Sequence, residues 1–145
     1  MSNQIIAYGA TVERSTDGTT FAEIPECKGV AIPLTETDYL EATSLDSEGG
    51  FKEYVKGLKD AGVISVPAGY TAAGYEQQLA DQAEAGAIYY RTTLKLQVGQ
   101  ATADVFTFRG FPTPSVESSD VGALIGMSID IRTTGAVAWV RGTAA

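Results

Sequence analysis

Residues 41–62, EATSLDSEGGFKEYVKGLKDAG, limit what this chain can fold into more than any other stretch. Thr43, Ser44, Asp46 and Ser47 carry short polar side chains that compete for backbone hydrogen bonds and favour turns over ladders. Gly49 and Gly50 then free the backbone of side-chain restriction. Phe51, Tyr54, Val55 and Leu58 follow, set among Lys52, Glu53, Lys56, Lys59 and Asp60. Their i, i+3, i+4, i+7 spacing matches one face of a short amphipathic helix, and Gly57 in its middle weakens it. Two readings stand. One is a two-turn surface helix packed on its own domain; the other is a long loop whose aromatic and aliphatic side chains are covered only when a neighbouring molecule arrives.

The 145 residues, 44% hydrophobic, suit one domain with one core. Eighteen Asp and Glu against ten Lys and Arg give a net charge of −8 and a pI near 4.4. Such a field repels polyanions, so sequence-directed nucleic-acid binding is not expected. Residues 1–10 lack a basic start followed by an apolar run, and no stretch approaches the roughly 20 apolar residues that cross a bilayer, so neither export nor membrane insertion is indicated. Cys27 is the single cysteine and histidine is absent, which removes internal disulfides, the usual transition-metal ligands and the commonest general base.

Elsewhere the pattern is mostly β. Tyr8, Ala10 and Val12 alternate with polar residues before Asp17-Gly18, a good hairpin turn. Residues 24–30 form a strand entered through Pro25, residues 35–42 a short strand, and residues 63–67 a β-branched strand. One helix is predicted over 75–85, with Tyr75, Leu79 and Ala83 on its apolar face and Gly86 as its stop. Residues 88–98 alternate throughout, with Ile88, Tyr90, Thr92, Leu94, Leu96 and Val98 on one face. Arg91, Thr93, Lys95 and Gln97 share the other. Phe106 and Phe108 share a face of residues 101–110, and the prolines and serines of 111–122 read as a loop. A strand with Ser128, Asp130 and Arg132 on its polar face, a Thr134-Gly135 turn and a strand carrying Val137 and Trp139 complete the chain. The fold class is an antiparallel β-sandwich or barrel, mostly β, with one flanking helix and a long early inter-strand loop.

Chemistry is poorly represented. Asp46 with Glu48, Glu23 with Glu26, and Glu36 with Asp38 lie in turn-like polar surroundings that do not drive paired pKa values apart. Asp46-Ser47-Glu48-Gly49 is only a fragment of a calcium loop. No G-x-S-x-G, Walker or G-x-G-x-x-G motif occurs, and Cys27 reads as a buried structural thiol. No catalytic residue, metal ligand or cofactor is assigned. The long strands with one polar face point outward instead, to pairing with other copies, because an uncovered edge is a template and closing a ring removes edges.

The pieces Leu45-Asp46-Ser47 and Gly57-Leu58-Lys59-Asp60-Ala61-Gly62, with the strand at 63–66 and a short helix carrying Gln78-Leu79, resemble the major tail tube proteins of long, non-contractile-tailed bacteriophages, the lambda-like tail tube family. The order of elements is similar from Ile24-Pro25-Glu26 to the last strand pair. The resemblance implies hexameric rings stacked into a hollow tube that conducts DNA during ejection. It favours the loop over the helix at residues 43–62, which would reach the adjacent ring through Leu45, Asp46, Phe51, Lys52, Tyr54, Val55, Leu58, Lys59 and Asp60. The polar faces, represented by Arg91, Lys95, Ser128, Asp130 and Arg132, would line the channel. Implied partners are copies of the chain itself, a tape measure protein and other tail proteins, with passing DNA touched but not specifically bound. The implied location is the virion tail, after synthesis in the host bacterial cytoplasm.

Some relatives carry an immunoglobulin-like domain after the tube domain, for which 145 residues leave no room, and residues 63–67 are more apolar than the family pattern. Other assignments are a terminator or joining protein, the tube of a phage-derived secretion or toxin device, a small β-barrel holding an apolar ligand among Tyr90, Phe106, Phe108 and Trp139, and an acidic-residue hydrolase.

Overall fold

A computed structural model describes residues 8–117 and 120–144. The strands are β1 (Thr11–Ser15), β2 (Ala22–Glu23), β3 (Glu36–Glu41), β4 (Tyr54–Asp60), β5 (Val63–Gly69), β6 (Ile88–Thr93), β7 (Val105–Val116) and β8 (Gly126–Val140), with one helix, α1 (Ala72–Ala83). Six strands form one antiparallel sheet in the order β2-β1-β6-β7-β8-β5, and β3 pairs with β4 as a separate two-stranded arm. The architecture is a curled antiparallel half-barrel with a flanking helix, mostly β as the alternation implied.

One face of the sheet makes the core. Val12, Val66, Ile88, Tyr90, Phe108, Met127, Ile129 and Ile131 are buried on it together with Ile24 and Ala68. Tyr90 and Phe108 sit directly opposite each other on β6 and β7, rings stacked 5.5 Å apart. In β6 the buried and half-buried residues alternate strictly, which is what period-2 patterning requires of a strand with one covered face.

Several elements differ from the sequence-based expectation. The alternation at 88–98 leaves the sheet after Thr93; the Leu94 N–H donates to Asp104 O at 3.0 Å and Gly99 turns the chain at φ 90°. The loop expected at 111–122 is strand as far as Val116, and Ser118 and Ser119 lie outside the described residues. Pro112 and Pro114 are tolerated there because β6 begins opposite Gly110 and does not extend alongside them, so one side of β7 is an edge where a missing N–H breaks no ladder. Gly135 makes no hairpin turn. Its φ of 78° serves a bulge in β8, where Gly135, Ala136 and Val137 stand opposite the single residue Phe108 between the Arg109↔Thr134 and Thr107↔Ala138 pairs. Residues 24–30 are no regular strand either; Glu26 takes φ 57°, and Cys27 bridges Ala68 on the outer edge of β5.

Helix α1 starts earlier than expected, with the Thr71 side chain accepting from the Gly74 N–H as N-cap, and it is rotated. Gly74, Gln78 and Asp81 face inward, Tyr75 packs only partly on the core, and Leu79 is 43% exposed. The reason is electrostatic. Arg14 on β1 pairs with Asp81: its Nη2 donates to Oδ1 at 2.6 Å, its Nε stands 2.6 Å from Oδ2 as an ion-pair contact, and Gln77 Nε2 donates to Oδ1 at 3.1 Å. Gly74 permits the close approach, since a Cβ there would lie 2.7 Å from Thr71 Oγ1 and 3.3 Å from Pro25.

Candidate functional site

Two surfaces contain the residues singled out from the sequence. The first is the arm. Residues 43–62 are neither a helix nor a structureless loop. They supply the tip and second strand of a hairpin with register Glu36↔Asp60, Thr37↔Lys59, Tyr39↔Lys56, Leu40↔Val55 and Glu41↔Tyr54. The polar tip closes as its composition demands. Ser44 N–H donates to Ser47 Oγ at 2.9 Å, Glu53 N–H donates to Thr43 Oγ1 at 2.9 Å, and Gly49 and Gly50 take φ 66° and 69°.

No residue of β3 or β4 is buried. Leu45 is fully exposed, Leu58 is 85% and Phe51 76% exposed, and Tyr39, Leu40, Tyr54 and Val55 are also exposed. The predicted contact residues Leu45, Asp46, Phe51, Lys52, Tyr54, Val55, Leu58, Lys59 and Asp60 are thus all brought onto one projection. That projection carries seven carboxylates and three lysines between residues 36 and 60. It is fixed to the body at its base. Arg132 Nη2 donates to Asp60 Oδ2 at 3.1 Å, and Gly62 O accepts from Thr133 N–H at 3.0 Å and from Thr133 Oγ1 at 2.5 Å. The Gly62 N–H and the Arg132 guanidinium hold the Asp60 carboxyl below its ordinary range.

The second surface is the sheet face opposite the core. Parity along β6 and β8 puts Arg91, Ser128, Asp130 and Arg132 there, in rows that include Glu13 (β1), Ser65 (β5), Arg109 and Thr113 (β7). The cations on this face are engaged. Arg91 donates to both Glu13 oxygens at 3.2 and 2.9 Å and its guanidinium lies 4.1 Å from the Phe21 ring centre. Arg109 lies 5.6 Å from the Tyr89 ring centre, and Arg132 holds Asp60. Asp130 accepts from Ser65 Oγ at 2.5 Å. Lys95 does not belong with this set: β6 has ended, and Lys95 is exposed beyond it, against Gly9. Arg109 was missed although its parity with Arg91 was readable once β6 and β7 were paired.

The other chemistries gain little from the geometry. A groove of about 870 Å³ runs between the arm base and β8, lined by Leu58, Asp60, Phe111, Arg132 and Val137 among others. It contains none of Tyr90, Phe106, Phe108 and Trp139; Tyr90 and Phe108 are sealed in the core while Trp139 is 58% exposed. Among the described residues no group of three or more His, Cys, Asp or Glu could hold a metal ion, and no helix is long and apolar enough to cross a membrane. Burial raises the Cys27 thiol above its usual value, opposite to what a reactive thiolate needs.

No protein-family model and no curated protein matches the chain. Solved structures do. A chain of the anti-feeding prophage baseplate superposes with TM-score 0.70 at 10% identity, covering 97% of this chain and 98% of the other. A chain of the PVC extracellular contractile injection system sheath-tube complex gives TM-score 0.72 at 14% identity over 96% and 93%. The SPP1 tail tube gives 0.64 at 13% over 98% and 81%. The likeness therefore extends to assemblies described as contractile, beyond the non-contractile family that the sequence resembles. At these identities it establishes the architecture: the curled half-barrel and flanking helix of this chain share the fold of these neighbours.

Proposed function

We propose that the chain is a tube subunit of a phage or phage-like tail, a structural protein and not an enzyme, which assembles with copies of itself into hexameric rings that stack into a conduit for DNA. The observation that carries this is the arm. Seven large apolar side chains, Tyr39, Leu40, Leu45, Phe51, Tyr54, Val55 and Leu58, project on a hairpin with no buried residue, a surface that makes sense only when a neighbour covers it. In the proposed tube the arm reaches the adjacent ring, and the polar sheet face lines the lumen.

The electrostatics of that face suit passage without capture. Non-specific DNA affinity comes from Lys and Arg releasing phosphate counterions. Here Arg91 and Arg132 already hold Glu13 and Asp60, so a phosphate would have to displace a carboxylate. Much of the acidic surplus sits on the arm rather than on this face. Lys95, away from the face, is no part of this lining. The tape measure protein, other tail proteins and location in the virion belong to the same proposal, as does membership of a non-contractile tail.

A second reading is a tube-end component. One neighbour is described as the PVC sheath/tube terminator, with TM-score 0.72 at 15% identity, and another as the anti-feeding prophage tube-terminating cap. Electron microscopy of concentrated purified protein distinguishes them. Stacked rings with a central hole support the tube subunit, single unstacked rings support the terminator, and globules at every concentration overturn both.

A further inference from the structure

The two ends of β5 carry different surfaces. Gly62 roots the arm at its start, and the arm runs on beside the C-terminal half of β8, since Leu58 and Asp60 share a groove with Thr134 and Val137. The other end of β5 lies roughly 20 Å away, at about 3.3 Å per residue. There the Lys28 N–H donates to Pro67 O at 2.9 Å and Cys27 bridges Ala68. Between this segment and the start of β1 runs a groove of about 430 Å³, lined by Tyr8, Gly9, Val12, Cys27, Lys28 and Val30 among others. Lys95 borders it too, because its side-chain stem lies against Gly9: a Cβ there would stand 3.3 Å from Lys95 Cγ.

Charge sets this groove apart. Of the seven cations outside the arm, Arg14, Arg91 and Arg132 hold carboxylates and Arg109 lies over the Tyr89 ring. Lys28, Lys95 and Arg141 make no ion pair among the described residues. Two of these three border the groove, and no carboxylate lines it. The arm tip is its counterpart. Residues 44–51 hold Asp46 and Glu48, no cation, and two large exposed apolar side chains, Leu45 and Phe51. Other apolar surfaces have the wrong sign for that tip. The two grooves at the arm root are lined by Glu36, Asp38 and Asp60, against Lys59 and an Arg132 that already holds Asp60. The β7–β8 connection exposes Val121 and Ile125 but carries Glu117 and Asp120.

We propose that the groove between the start of β1 and residues 27–30 receives the arm tip of a second copy of this chain, with Leu45 and Phe51 against its apolar floor and Asp46 and Glu48 beside Lys28 and Lys95. The proposal rests on the tube reading and deepens it by naming where the arm lands. Because arm and groove occupy opposite ends of β5, the contact is head-to-tail, the kind that repeats along an axis. The acidic surfaces elsewhere repel the same tip, so charge selects the landing place as well as holding it.

Charge reversal tests it, read as the concentration at which rings stack by sedimentation and negative-stain microscopy. Lys28→Glu with Lys95→Glu, and separately Asp46→Lys with Glu48→Lys, should each raise that concentration by about 10-fold or more. The chain carrying all four changes should return to within about 3-fold of wild type, because the attraction is restored with its signs exchanged. Arg141→Glu, at a cation that does not line the groove, should leave it unchanged. The single cysteine supplies a second measurement with every charge in place. In the Leu45→Cys variant, mild oxidation of assembled protein should join the introduced thiol to Cys27 of a neighbouring copy, giving covalent dimers that an added Cys27→Ser abolishes. Stacked rings that show no such link, with reversals that never compensate, overturn the docking site and leave the tube reading standing. Protein that forms no rings at any concentration overturns both.

Discussion

Replacing Phe51 and Leu58 by serine should leave the single copy intact and disable its assembly. Both side chains are mostly in water on the isolated chain, 76% and 85% exposed. Burying such a side chain is worth about 1.5–3 kcal/mol, and nearly all of that is still outstanding before a neighbour arrives. Taking about 1.5–2 kcal/mol as the share lost per residue, the concentration at which rings or tubes appear should rise roughly 10- to 30-fold for each single variant and by about 10² to 10³ for the pair. Thermal unfolding of dilute protein should barely move, since surface substitutions stay within about 0.5 kcal/mol. Sedimentation and negative-stain microscopy across a concentration series give both readings. The reasoning is refuted if the double variant assembles at the wild-type threshold. It is equally refuted if its melting temperature falls as far as that of a core truncation such as Ile129→Ala, where about 2–5 kcal/mol is expected.

Asp81→Leu, which leaves the buried Arg14 guanidinium without its carboxylate, should cost about 3–5 kcal/mol in denaturant unfolding, while Arg14→Met with Asp81→Leu should recover most of it. Gly110→Ala should lower thermal stability by about 1–3 kcal/mol, because a Cβ there meets the Arg132 carbonyl oxygen at 2.8 Å and the Ile131 side chain in the middle of the β7–β8 pair. Asp17 accepts from the Thr20 and Thr19 N–H groups and from Ser15 Oγ, which depresses its pKa well below the ordinary 3.8. The stabilisation by Asp17 is therefore fully present above the unfolded-state value and is lost progressively as pH falls from there through the lower folded-state value. NMR titration should find the carboxyl still ionised at about pH 3, and a half-point at or above the ordinary value would contradict the turn geometry. Asp60, lowered mainly by the Gly62 N–H, should titrate in the same direction, and Arg132→Ala should move it back upward without abolishing the shift.

How much was legible in the sequence depended on whether a residue's partner was nearby in the chain. The β6 alternation was readable because one face of the strand is fully covered, so burial imprints period 2 on Ile88, Tyr90 and Thr92. The same parity placed Arg91, Ser128, Asp130 and Arg132 on one face. It misplaced Lys95, because nothing in the alternation signals that the ladder stops at Thr93. β4 left no such imprint: no residue of it is buried, its side chains were never sorted by burial, and Tyr54, Val55 and Leu58 fell by accident on helical spacing. Only the pairing with β3 reveals it. The helix was found and its face was not, since Arg14, 67 residues from Asp81, decides the rotation. Pro112, Pro114 and Gly135 were read by their local habits, and each is excused by tertiary context, an open edge for the prolines and a bulge for the glycine.

The arm joins the body at Gly62, where β5 begins opposite Arg132, close to the midpoint of β8. Any load taken up at the tip therefore enters the longest strand near its centre. Drawn along the strand axis, that load acts in shear on all seven β5–β8 residue pairs at once, so none can be unzipped ahead of the others. A projection rooted at a strand end would peel instead. This point of attachment makes the chain mechanically suited to tension along a column, whichever neighbour supplies the pull.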